Sequence, residues 1–335
     1  MSILVTGASG FIGFHVCNRL LQEGRQVIGV DSMNDYYDVE LKKARLAMLQ
    51  DHDGFTFHQF DLSDHQSVLG LYELGITSIV HLAAQAGVRY SIENPIAYHQ
   101  ANQVATLEML ELARNTDIDH TVFASSSSVY GANQNVPFST ADSVDTPISF
   151  YAASKRTGEL LAHSYAHLYR IPVTAVRFFT VYGPWGRPDM ALWKFAEAIE
   201  SGGSIDLYNH GRHRRDFTYI DDIVEGVIRV LDNPAKPDAN FNPLSPSPDH
   251  SDAPFAIYNI GNDVSVELTR YVDLIEAELG KTAERNLLPL QPGDIEESLA
   301  DVEPMRRDFG WTPKVSVEEG VPRFIEWFKT WTSQA

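Results

Sequence analysis

Cys17 is the only cysteine in 335 residues. It cannot form an internal bridge or build a cysteine-based zinc site, which suits a reducing compartment, with the cytoplasm as the expected location. Basic side chains are also scarce: 26 Lys and Arg stand against 45 Asp and Glu, a net charge of −19. Such a chain repels a phosphate backbone at long range, so nucleic acid is not an expected partner. No apolar run approaches the roughly 20 residues a membrane helix needs, and the N-terminus enters a strand pattern without a charged leader. No membrane association is expected. Internal repeats and low-complexity domains are missing. What is present is 44% hydrophobic residues spread along the chain, enough for one large or two medium cores.

Short β-branched runs recur at 3–6, 26–31, 55–60, 78–82, 120–124 and 173–178, each followed by a segment of helical period. That order predicts βαβ units and an α/β fold, a doubly wound parallel sheet covered on both faces. Asn94 and Pro95 mark a helix start, the first as cap and the second with its φ already set. That helix is expected to reach about Arg114. Beyond Phe179 the alternation loosens, with further helices near 190–201, 222–231, 267–280 and 318–331. The expected division is a dinucleotide-binding region over 1–178 and a smaller α/β substrate region over 179–335, with some segments of about 216–262 returning to the first. The stretch 233–254, rich in Pro, Asp, Asn and Ser, reads as a surface loop.

Gly7, Gly10 and Gly13 fall where the first strand turns into the first helix, with Phe11 and Ile12 between them. Backbone amides and the helix dipole at such a turn can seat a pyrophosphate. A lone glycine spacing is a weak signal, but Asp31 ends the second strand, where a carboxylate accepts from ribose hydroxyls and repels a 2′-phosphate. That favours NAD over NADP. Tyr151 and Lys155 are four apart at the start of a predicted helix and share one face. A cation beside a phenol lowers its pKa from about 10 toward the range a general base needs. Ser125 to Ser128 follow the fifth strand and place hydroxyls at the carboxyl edge of the sheet, where such folds bind ligands. His163 and His167 are also four apart, but lack a third ligand in the pattern. Helix surface is the reading there, and no metal is expected.

Together, Gly7-x-x-Gly10-x-x-Gly13, Asp31, Asp61-Leu62, Leu82-Ala83-Ala84-Gln85, the serine run and Tyr151-x-x-x-Lys155 resemble the extended short-chain dehydrogenase/reductase family of nucleotide-sugar enzymes. Three longer strings, starting at Asp35, Ala86 and Arg177, are similar to those of UDP-glucuronate 4-epimerases. The resemblance implies a Rossmann-type fold, tightly bound NAD and a homodimer formed by the helices over 95–114 and 151–169. It implies cofactor contacts from Asp61, Leu62, Ala83, Gln85 and Asn102 besides the glycine turn, Asp31, Tyr151 and Lys155. It also implies catalysis by Tyr151 and Lys155 with Ser126 assisting, and a UDP-uronic acid as substrate. Ser127, Ser128 and Thr180 are expected on the sugar carboxylate, Arg215 on the pyrophosphate with Arg187 and Arg89 as further candidates, and Asp294 on the uridine ribose. Relatives that dehydrate carry an Asp-Glu pair at the strand end and those that decarboxylate carry a glutamate, whereas this chain has Ser127 and Ser128 there. The expected reaction is therefore 4-epimerisation of UDP-glucuronate. Decarboxylation, another UDP-sugar 4-epimerisation and a non-catalytic NAD sensor remain as alternatives.

Overall fold

In the computed structural model, which describes residues 2–333, seven strands form the central sheet: β1 (2–6), β2 (26–31), β3 (55–59), β4 (76–81), β5 (120–126), β6 (173–178) and β7 (255–260). Their spatial order is β7-β6-β5-β4-β1-β2-β3, and every neighbouring pair is parallel. Alternation along each strand splits the core into two layers. Val5, Val27, Val80, Val122 and Val176 point into one, with the helix 11–22 and the helix 220–231 above them. Leu4, Ile28, Ile79, Phe123 and Val173 point into the other, beneath the helices 105–115 and 150–169. The period-2 strand rule thus supplies two buried faces, as a sheet covered on both sides requires.

The strand order reverses between β1 and β4, opening a crevice at the carboxyl ends of the strands where such sheets bind ligands. Small sheets form the far wall of this crevice: 180–182 beside 214–219 beside 265–267, and 204–207 beside 284–287. Asn94 does cap a helix, its Oδ1 accepting from the Ala97 amide at 3.3 Å with Pro95 in the first turn. The predicted single helix is interrupted, however. After 95–98 the chain makes a π turn over 99–104 before continuing as 105–115. Such wide turns gather at functional sites, and this one turns Asn102 inward.

The 233–254 segment has neither helix nor strand, yet it is anchored. Thr140 Oγ1 donates to Asp249 at 2.6 Å, and the His163 ring is 2.9 Å from Ser251 Oγ. It ends by delivering β7 to the edge of the central sheet. Among the described residues, no helix is long and apolar enough to cross a membrane.

Candidate active site

A cleft of about 960 Å³ runs across the carboxyl edge of the sheet. Every site residue expected from sequence lines it except Asn102.

The cofactor end is built by the turn between β1 and the helix 11–22. Gly7 takes φ +70°, and a Cβ there would stand 3.0 Å from the Ala83 backbone. At Gly13 a Cβ would lie 2.0 Å from the Gly7 carbonyl oxygen, so no side chain fits between turn and helix. No side chain caps this helix, which leaves its first amides open to the cleft, the arrangement that takes a diphosphate. Asp31 accepts from the Ser9 amide at 3.0 Å through one oxygen and from the Met33 amide at 2.9 Å through the other. Each oxygen keeps a lone pair for a ribose hydroxyl. Beneath the turn, Thr6 Oγ1 accepts from the Leu82 and Ala83 amides and pairs with the buried His81 ring at 2.8 Å. Burial depresses the His81 pKa to about 3, so the ring is neutral. These residues fit NAD.

Asn102 does not face the cleft. It sits behind the wall, where Oδ1 accepts from the Gln85 amide at 2.7 Å and Nδ2 donates to the Gln85 carbonyl and to Ser154 Oγ. It therefore joins the Ala83–Gln85 segment, expected to contact the cofactor, to the helix that carries Tyr151.

Ser149 caps the helix 150–169 by accepting from the Ala152 amide at 3.1 Å, which places Tyr151 in the first turn. Burial raises the Tyr151 pKa; the Ser126 hydroxyl, close enough to hydrogen-bond the phenolate, and the Arg187 charge oppose that shift. Lys155 donates to the Ala124 carbonyl at 2.8 Å, and burial depresses its pKa to about 7. Desolvation dominates both groups, and the Arg187 charge works against it at the phenol.

A buried ionic cluster underlies this pair. Glu159, one helical turn after Lys155, accepts from Ser125 Oγ at 2.6 Å, from Arg177 Nε at 2.8 Å and from Arg156 at 3.0 Å. Both the Glu159 and the Arg177 side chains have no exposure. Sequence reading missed them because Arg177 was recognised only as part of a string. Replacing Arg177 with Met strands the carboxylate. Urea unfolding should show a loss of about 3–5 kcal/mol; a loss below 1 kcal/mol would mean Arg156 alone neutralises Glu159.

The far end gathers a second set of charges. Arg215 donates to Asp294 at 2.8 Å and to the Ile295 and Glu296 carbonyls. Buried His213 lies 3.6 Å from Asp294, and Arg89 stacks 4.6 Å over the Tyr208 ring. Tyr208 was not expected from sequence, being a lone aromatic in a loop, and His213 showed only as a member of the basic run 210–215. Arg187 does not join this group. It forms a two-point pair with Asp189, to which Tyr36 also donates at 3.3 Å, and it stands among Tyr36, Tyr37, Tyr98 and Tyr151. It thus stands at the end of the cleft that holds Tyr151, apart from Arg215.

A glycine turn, an acidic strand end and a Tyr/Lys pair on one cleft define a dinucleotide-dependent enzyme of short-chain dehydrogenase type. Residues 3–244 match the NAD dependent epimerase/dehydratase family, and the chain belongs to that family. A Rhizobium meliloti (strain 1021) protein named "Probable UDP-glucuronate 4-epimerase" is 49% identical over 330 residues, 98% of this chain and 97% of that one. UDP-glucuronate 4-epimerase 4 of Arabidopsis thaliana is 41% identical, across 99% of this chain and 76% of its own length. Among solved structures, UDP-glucuronic acid 4-epimerase from Bacillus cereus in complex with UDP-glucuronic acid and NAD aligns with a TM-score of 0.85 at 30% identity, covering 99% of this chain and 100% of that one.

Proposed function

We propose that this protein interconverts UDP-glucuronate and UDP-galacturonate by NAD-dependent epimerisation at C4 of the sugar, through a transient 4-keto intermediate. The observation that carries this reading is the strand end. Ser126 stands beside Tyr151, with Ser127, Ser128, Thr180 and Arg187 in the same cleft, and hydroxyls occupy the positions where dehydrating and decarboxylating relatives hold carboxylates. When bound, NAD supplies a reversible hydride acceptor.

The chain's own residues do the rest. Tyr151, as phenolate, takes the proton of the sugar 4-OH, and Ser126 steadies that charge. Ser127, Ser128 and Thr180 donate to the sugar carboxylate while Arg187 balances it, which keeps electrons in the carboxylate and disfavours loss of CO₂ from the β-keto acid. Arg215 and Arg89 concentrate positive charge at the UDP end, against the overall field of a chain carrying −19, while burial and the neighbouring arginines lower the His213 pKa and keep that ring neutral. The keto sugar must then turn over, so that the returned hydride and the Tyr151 proton reach the opposite face.

Incubating the protein with UDP-glucuronate and no added NAD should give an isomer of unchanged mass with a galacto coupling pattern in the anomeric proton spectrum. Conversion to a UDP-pentose instead would overturn the reading of Ser127 and Ser128.

The short helices 90–93 and 95–98 and the Tyr151 helix leave Ile92, Ile96, Leu160 and Leu168 exposed at 60%, 67%, 53% and 66%. Such unpaired apolar area marks an interface, here that of a homodimer. Sedimentation should give twice the 37.4 kDa chain mass, and Leu160→Arg should shift it to the single-chain value. A wild-type protein that sediments as one chain would refute the pairing.

A further inference from the structure

Arg45 lies in the helix 39–50, outside the cleft, and is completely buried. All of its hydrogen-bond partners are neutral oxygens. Nη1 donates to the Ser9 carbonyl at 3.0 Å and to the Tyr37 hydroxyl at 2.9 Å; Nη2 donates to the Trp185 carbonyl at 2.5 Å and to the Gly186 carbonyl at 3.2 Å. Its Nε has no partner, and among the described residues no carboxylate pairs with it. A buried guanidinium without a counter-ion is costly, so what it joins matters.

It joins three things. Ser9 belongs to the glycine turn that seats the cofactor. Tyr37 lines the cleft beside Arg187. Trp185 and Gly186 lead directly into Arg187. Trp185 has φ +60°, a conformation that L side chains rarely hold without support. Its ring packs against Trp327 and Trp331, each at 5.3 Å between centroids, so the indole is fixed from one side and the carbonyl from the other. The loop before Arg187 is therefore held at two points, one of which reaches back to the cofactor turn.

We propose that Arg45 is a positioning residue that ties the glycine turn to the 185–187 loop and so sets how Arg187 meets the acid group of the sugar. This rests on the placement of Arg187 at the sugar end given above. It predicts a selective defect, because a misplaced Arg187 penalises a ligand that carries the uronate and leaves UDP alone untouched. A purely structural Arg45 would lower stability and leave that selectivity intact.

The test compares holoenzymes carrying Arg45→Lys, Arg45→Met and Arg187→Ala, measuring bound NAD, UDP affinity and the KM for UDP-glucuronate. Both Arg45 variants should retain NAD and UDP affinity while KM for UDP-glucuronate rises about tenfold, less for Lys than for Met. Parallel weakening of UDP and UDP-glucuronate, or a lowered melting temperature with unchanged KM, would overturn the proposal. If Arg187→Ala leaves the preference for UDP-glucuronate over UDP intact, the reading of Arg187 fails. If Arg187→Ala abolishes that preference and the Arg45 variants keep it, the proposal for Arg45 alone fails. Should Arg45→Met not fold, Tyr37→Phe, which removes one acceptor, should move KM in the same direction by about two- to threefold; an unmoved KM would count against the proposal.

Discussion

Tyr151→Phe should lower kcat for epimerisation by at least about 10³-fold while leaving bound NAD and the melting temperature close to wild type. The phenol is within hydrogen-bond reach of the strand-end Ser126 and feels the Arg187 charge. Ser126 cannot take over, because an aliphatic hydroxyl is far too weak an acid to cycle a proton near neutral pH. Removing the oxygen leaves the ring, which packs edge-on against Tyr98 at 6.0 Å between centroids, so the fold loses little. Turnover within tenfold of wild type would move the proton transfer to another group and remove Tyr151 from its proposed role.

Lys155→Met is expected to act in two opposite directions. Activity should fall about 10²- to 10³-fold, because the phenolate loses the ammonium expected to support it in the loaded site. Stability at pH 7 should rise, on the order of 2 kcal/mol, because burial holds the wild-type lysine at about pH 7 against 10.5 in the unfolded chain. Between those two values the unfolded state binds the extra proton, so native stability climbs with pH in the wild type. The penalty is full below pH 7 and vanishes above pH 10.5. The variant should lack that slope, and urea titrations at pH 6.5 and 9.5 would reveal it as a gap that closes at the higher pH. A gap of constant size would mean that Lys155 is not the group responsible.

The cofactor half of this site was legible because its signals are local. The Gly7, Gly10 and Gly13 spacing, Asp31 at a strand end and the Tyr151/Lys155 pair each lie within one turn or one helix, where backbone geometry alone dictates who meets whom. The sheet was legible for the same reason, since six of its strands show as β-branched runs. The seventh strand, at 255–260, follows an irregular segment and joins β6 far from its sequence neighbours. Arg45 meets Trp185 across 140 residues and Arg215 meets Asp294 across 79, contacts that no spacing rule encodes. Arg187 shows how far a motif reaches: the string around it marked a site arginine, while only the folded loop reveals that it stands with the tyrosines. The rise of the Tyr151 pKa escaped the sequence for a different reason. Charge pairing can be read from sequence, but desolvation depends on everything else that packs around the pair.

The late arrival of β7 has a consequence for how the protein is made. β6 exposes one edge from the moment residue 178 leaves the ribosome until residues 255–260 pair with it, and the intervening polypeptide supplies nothing else to cover that edge of the sheet. Unsatisfied strand edges are adhesive. The nascent chain therefore passes through a window, roughly a quarter of its length, in which its dinucleotide-binding half is nearly complete yet open along one side. Fragments ending near residue 180 should therefore aggregate, which makes translation speed across that interval a determinant of yield.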